Sequence, residues 1–277
     1  KNGEKPFVKY YTNKARQAGM TLIELTVVLL VLIGLAGLMV PYVSGFVSKT
    51  HDSTGADSLA AVGKAMIQYD IQYQAYPDDL DSLIDGSAGG VFSKLMGPGL
   101  FGTVTLTSAS GGVSAAAFSN VGVSTVQDMD EDTTKSATFE SNTGSRSIAD
   151  GDELAVINIV TSGMSGTTAT LDTDLSRELG GYTIDSANNN YVVFGVGSNS
   201  SMIGKTIHEA PVHFAQTGTM SAEKKYNRLV AVFEVPKTYM ASMGDMRRPK
   251  FIGTLMPMMR LEGKSGALDS HYSSIDQ

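Results

Sequence analysis

Four stretches of this chain place chemistry-bearing side chains at spacings that suggest a task. His208-Glu209-Ala210-Pro211-Val212-His213 sets two imidazoles around a carboxylate, the residue types of a zinc-dependent hydrolytic site. That motif needs both histidines on one helical face, but His213 comes one residue too late and Pro211 breaks the helix. Satisfied or surface imidazoles account for the pair better. Gly204-Lys205-Thr206 ends like a phosphate-binding loop, yet Asn199 stands where its first glycine belongs and Pro211 stops any following helix. Asp128, Asp130, Glu131 and Asp132 form an acidic knot whose alternate carboxylates suit Ca²⁺. Thr133 occupies the turn position that needs glycine there, and Phe139 the position of the closing bidentate Glu. The knot therefore reads as a solvated acidic loop, with Asp128, Asp130 and Asp132 as weak calcium candidates. The fourth stretch is Glu24, the only charge among the 24 residues from Met20 to Val43. No Gly-x-Ser-x-Gly elbow is present, and Gly195-x-Gly197 lacks the third glycine of a dinucleotide fingerprint. No catalytic residue and no cofactor is predicted.

Glu24 stands out because of the element that carries it. A helix of 24 residues spans roughly 36 Å at 1.5 Å per residue, against a hydrocarbon core of about 30 Å. A charge at the centre of such a span costs about 2.5 kcal/mol or more, so a compensating cation is expected. Residues 1–19 precede the run with Lys1, Lys5, Lys9, Lys14 and Arg16 against one acid, Glu4. A basic tip keeps that end cytoplasmic. The net charge is −7, so the rest of the chain carries the acidic excess and should repel nucleic acid. There are no cysteines, which removes disulfides, thiolate zinc sites and thiol nucleophiles.

Gly19 followed by Met20-Thr21-Leu22-Ile23-Glu24-Leu25, the basic leader, the apolar length and Pro41 together resemble the prepilin motif of type IV pilins and type II secretion pseudopilins. The resemblance implies cleavage between Gly19 and Met20 by a prepilin peptidase/methyltransferase, and methylation of the new amine. It also implies a role for Glu24 as the assembly glutamate and for Pro41 as the helix-kinking proline. Phe is the commoner residue at the new terminus, so Met20 departs from the pattern. Beside the resemblance stands a physical argument: an amine at Met20 is a cation, and Glu24 of a neighbouring helix is an anion at nearly the same depth. Pro41, with Gly34 and Gly37 upstream, makes residues 34–41 the place where the helix would loosen on tight packing.

Beyond Pro41 the helix is expected to continue to about residue 74. Leu59, Val62, Met66, Tyr69 and Tyr73 make one apolar stripe at alternating steps of three and four. His51-Asp52-Ser53-Thr54-Gly55 is a soft patch expected to interrupt it locally. After Tyr76-Pro77, three acids favour a short second helix closed by Gly86. Residues 86–127 read as a variable insert, with short strands at 104–106 and 121–126. Leu154–Val160, Tyr191–Val196 and Leu229–Val235 are strand candidates, with a helical turn at 174–179 ended by Gly180-Gly181. The tail from Glu262 carries no clear pattern.

The expected fold is α+β: a long N-terminal helix, half transmembrane and half amphipathic, packed on a small antiparallel sheet, which the resemblance turns into a pilin-like ladle. The expected organisation is a cleaved cytoplasmic leader (1–19), a transmembrane and assembly helix (20–43) and an extracytoplasmic head (44–277). The expected function is that of a structural subunit of a type IV pilus-like filament or a type II secretion pseudopilus. Its partners would be identical or related subunits, the peptidase and an inner-membrane assembly platform. The precursor would sit in the bacterial inner membrane and then move to a periplasmic pseudopilus or an extracellular pilus. The rival class is a membrane-tethered extracytoplasmic enzyme or ligand-binding protein with an uncleaved anchor.

Overall fold

A computed structural model describes residues 22–92, 95, 101–108, 113–129, 142–157, 175–212, 226–237 and 248–256, without the side chains of 40–52, 142 and 143. The chain divides into two units, Lys1–Thr50 and His51–Gln277. Helix α1 runs over Leu22–Tyr73. The first unit contributes its apolar part, and the second unit holds the rest of α1 and all of the sheet.

In the second unit the apolar stripe does what its spacing predicts. Leu59, Val62, Met66 and Tyr69 are buried, joined by Ala65. Tyr73 departs from the stripe and is 49% exposed. Its ring lies 4.5 Å from that of Tyr69, and the Lys205 amine sits 5.0 Å above it. The expected break at 51–55 does not occur, because α1 passes through it unbroken. Gly55 is buried there.

The sheet has eight strands and is mixed, which corrects the expected small antiparallel sheet. Its strands are β1 (Leu80–Asp85), β2 (Phe101–Thr105), β3 (Thr125–Met129), β4 (Asn142–Ser147), β5 (Glu153–Ile157), β6 (Asn189–Gly195), β7 (Val230–Pro236) and β8 (Lys250–Leu255). A five-residue helix, α2 (Ala115–Ser119), starts at Ser114, whose hydroxyl accepts from the Ala116 amide. The order is β2-β5-β6-β1-β3-β4, with β7 on β6 and β8 on β7. β6 is the hub. It pairs with β7 over all seven residues, so β5 at Val192 and β1 at Gly195 must share its other edge. Tyr191 to Val196 is buried without interruption, as a strand covered on both faces requires.

β1 replaces the expected second helix after Pro77. The acids that would have favoured a helix N-terminus serve β3 instead. Asp78 Oδ1 accepts from the Ser124 and Thr125 amides at 2.9 and 2.6 Å, and Asp79 Oδ1 accepts from Thr125 Oγ1 and Gln127 Nε2. All five residues from Leu80 to Ile84 are buried, Asp81 and Ser82 included, which one face of a short surface helix could not achieve. β1 runs parallel to β3, in register at Leu80↔Val126 and Asp81↔Gln127, with a bulge before Asp85. β2, α2 and their loops form the crossover that a parallel pair needs.

The strand expected at 121–126 begins only at Thr125, because Val121 belongs to the turn that closes α2. β4 and β8 were not anticipated: β4 is polar, and β8 begins with Lys250 and carries Gly253. The helical turn before Gly180-Gly181 is present, and both glycines have positive φ.

Phe233 on β7 links its neighbours β6 and β8 and the segment that follows α1. Its ring meets Tyr76, Phe194 and Phe251 edge to face, with centroids 5.1–5.8 Å apart. Such pairs add to the area term of burial. Phe233→Ala is expected to cost ~3–5 kcal/mol of stability, read by denaturant unfolding of the full chain in detergent; a loss under 1 kcal/mol would remove Phe233 from this role.

Candidate functional site

The residues expected to handle processing and assembly fall at the start of α1. Gly19 and Met20 lie outside the described residues. Glu24 is in the first turn of α1, on exposed surface. A carboxylate there is favoured by the helix dipole by about 0.3–1 kcal/mol. Leu22–Met39 has a mean hydropathy of 2.6, and none of it is buried. Leu22, Ile23, Leu30, Ile33 and Leu38 are each more than 70% exposed. Apolar residues occupy every face, so no rotation of this helix on a protein surface would hide them from water. The segment is long and apolar enough to cross a membrane. Pro41 lies inside α1, and its side chain is outside the description.

The acidic knot is only partly described. Asp128 lies on β3, and its carboxylate takes the Arg146 Nε at 3.3 Å from the neighbouring β4. Arg146 also reaches Asp152 at 2.5 Å. Asp128 is thus one arm of a cross-strand ion-pair network. Asp130 and Asp132 lie outside the described residues. Among the described residues no group of three or more His, Asp or Glu side chains could hold a metal.

The glycine-bearing motifs have structural uses. Gly204 takes φ +77° in a tight turn. That turn aims the Lys205 amine at the α1 aromatics, 3.2 Å from the Tyr69 hydroxyl. His208 is exposed in the following segment, and His213 lies outside the described residues. Gly195 and Gly197 leave room for a buried acid: a Cβ at Gly195 would overlap the Tyr226 hydroxyl, and one at Gly197 the Asp81 carboxylate.

That acid, Asp81, is the polar centre that sequence reasoning missed. It is 4% exposed on β1, opposite Gly195. Tyr226 donates its hydroxyl to Asp81 Oδ2 at 2.7 Å, and Arg228 Nη1 lies 3.9 Å from the same oxygen. Burial pushes the Asp81 carboxyl up to about 6, against the opposing pull of the Tyr226 hydrogen bond and the Arg228 charge. Tyr226 is held well above its ordinary range by burial and by the Asp81 charge, so it keeps its proton for the bond. The only signal in the sequence was an acid inside Leu80–Ile84, next to a pair of glycines 114 and 116 residues away.

A second polar cluster lies across β6, β7 and β8. Glu234 stands between Tyr191 and Lys250 in the strand register. Its oxygens accept from Tyr182 at 2.7 Å, Asn189 at 3.0 Å and Tyr191 at 3.3 Å. Burial, followed by the Glu234 contact, raises the Tyr182 hydroxyl to about 12. The carboxylate is committed to holding tyrosines in place.

The sign of the Asp81 effect gives a test. Its folded value lies above the ordinary 3.8, so the fold holds this proton more tightly than the unfolded chain does. The contribution is largest below about pH 4 and is lost as pH rises through about 6. Asp81→Asn should therefore gain stability relative to wild type by a few kcal/mol between pH 4 and 7, on top of a pH-independent offset from exchanging the neutral carboxyl for an amide beside Tyr226. Thermal unfolding of both chains across that range checks it, and parallel curves would refute it. Comparison of the chain with protein-family models, with curated proteins and with solved structures finds no match.

Proposed function

We propose that this chain is the structural subunit of a type IV pilin-like filament, either a surface pilus or a secretion pseudopilus, assembled through its N-terminal helix. The observation that carries this reading is that no residue of Leu22–Met39 is buried, at a mean hydropathy of 2.6. At roughly 25 cal/mol per Å² of apolar surface, such a helix cannot stay in water. Lipid covers it in the precursor, and other copies of the same helix cover it in the filament. The transfer between those two environments is the mechanism.

Within this reading residues 1–19 are a cytoplasmic leader, removed by a prepilin peptidase/methyltransferase between Gly19 and Met20. Glu24 then pairs with the terminal amine of a neighbouring copy, which relieves the cost of carrying an anion in an apolar core. Met20 and Glu24 are four residues apart, so the neighbour is displaced by about one helical turn. Pro41 is where α1 gives way under packing. The head faces water outside the cytoplasm, and a pilin-like ladle architecture goes with this reading. Its acidic charge disfavours nucleic acid, and no chemistry is assigned to the subunit.

Two measurements test it. Mass spectrometry of the N-terminal peptide from membranes or filaments is expected to find a chain that begins at a methylated Met20; material that retains residues of 1–19 would overturn the processing step. Glu24→Val is expected to be processed normally but to reduce filament yield about tenfold or more, since the core then holds an unpaired cation. Wild-type yield from that variant would remove Glu24 from assembly.

A further inference from the structure

The head carries a cleft that the filament reading does not use. It has a volume of about 480 Å³ and lies between the end of α1, the loop after α2, and the meeting of β6, β7 and β8. Concavities of roughly 300–1,000 Å³ suit small ligands rather than flat protein surfaces. Asp70, near the end of α1, and Arg248, just before β8, both line it. Neither the Asp70 carboxylate nor the Arg248 guanidinium has a side-chain hydrogen bond or ion-pair partner among the described residues, and they do not pair with each other. The other ionised groups of the cleft are engaged: Glu234 holds Tyr182, Asn189 and Tyr191, and Lys250 lies 5.0 Å over the Tyr182 ring. Tyr76 accepts the Phe251 amide at 3.1 Å, which leaves its own hydroxyl proton to donate. Val121, Pro236 and Pro249 give the cleft an apolar wall.

We infer that this cleft binds a zwitterion with an apolar body, a free amino acid or short peptide, with its ammonium on Asp70 and its carboxylate on Arg248. Two opposite charges that line one concavity without pairing select a ligand that carries both. A simple anion would meet the fields of Asp70 and Glu234, and a simple cation those of Arg248 and Lys250. Guanidinium–carboxylate contact also supplies two parallel hydrogen bonds and so fixes the orientation. The apolar wall then faces the side chain. This inference is independent of how the N-terminal helix is used.

Titration calorimetry of the full chain in detergent, with L-leucine and leucyl-leucine as probes, tests it. Saturable one-to-one binding of at least one of them is expected. The N-acetylated and C-amidated forms of that ligand should each bind about tenfold more weakly or worse, because each lacks one charge. Asp70→Asn should weaken the free ligand about as much while leaving the N-acetylated form unchanged, and Arg248→Gln should do the same with respect to the amide. Absence of saturable binding by both probes, blocked forms that bind as tightly as free ones, or variants with wild-type affinity would each overturn the proposal. If either variant fails to fold, the ligand series on the wild-type chain decides alone.

Discussion

Strand β6 admits both β1 and the Tyr226 ring at Gly195 only because that residue has no side chain. Its place in the sheet brings β1 against it at Asp81 and brings the segment that enters β7 over it at Tyr226. A Cβ at Gly195 would overlap the Tyr226 hydroxyl and press on the Asp81 Cβ. The close approach buries the Asp81 carboxylate, and burial makes the Tyr226 bond and the Arg228 charge necessary. β1 in turn positions β3 through their parallel pairing, and β3 positions β4. The β1-β3-β4 side of the sheet is therefore joined to β6 at a crossing where no side chain can be added.

The chain places its two kinds of expensive group in opposite surroundings. In the second unit several ionisable groups are drawn inward and hydrogen-bonded, as with Asp81 under Tyr226, Glu234 under three donors, and Arg146 between Asp128 and Asp152. Along Leu22–Met39, apolar side chains face outward on every side. The first arrangement suits an aqueous exterior, and the second suits a solvent other than water. Both occur on one chain, so the apolar part of α1 and the second unit suit different environments, as a helix long and apolar enough to cross a membrane requires.

Reading the sequence recovered the elements whose signal is local. The α1 stripe at Leu59, Val62, Met66 and Tyr69, the cores of β5, β6 and β7, and the turn at Gly180-Gly181 all follow from periodicity or composition within a few residues. It misjudged the stretch after Pro77, because Asp78 and Asp79 resemble a helix start until β3 supplies the amides they bind. β4 lacked an apolar signal, because an edge strand can be polar when its neighbour covers one side. The expected soft patch at 51–55 did not break the helix, since propensity is a weak prior against the rest of a long helix.

The sequence by itself determined that one segment is too apolar for water, that it carries a single acid, and that cysteine chemistry is excluded. These are properties of composition, and they survive any fold. Only the tertiary structure decided that Asp81 is buried, that Gly195 and Gly197 make room for it, and that Asp70 and Arg248 open on one cleft. Asp81 and Tyr226 are 145 residues apart. Desolvation and charge pairing act through space over a few ångströms, and no local pattern encodes which distant residues will share that distance.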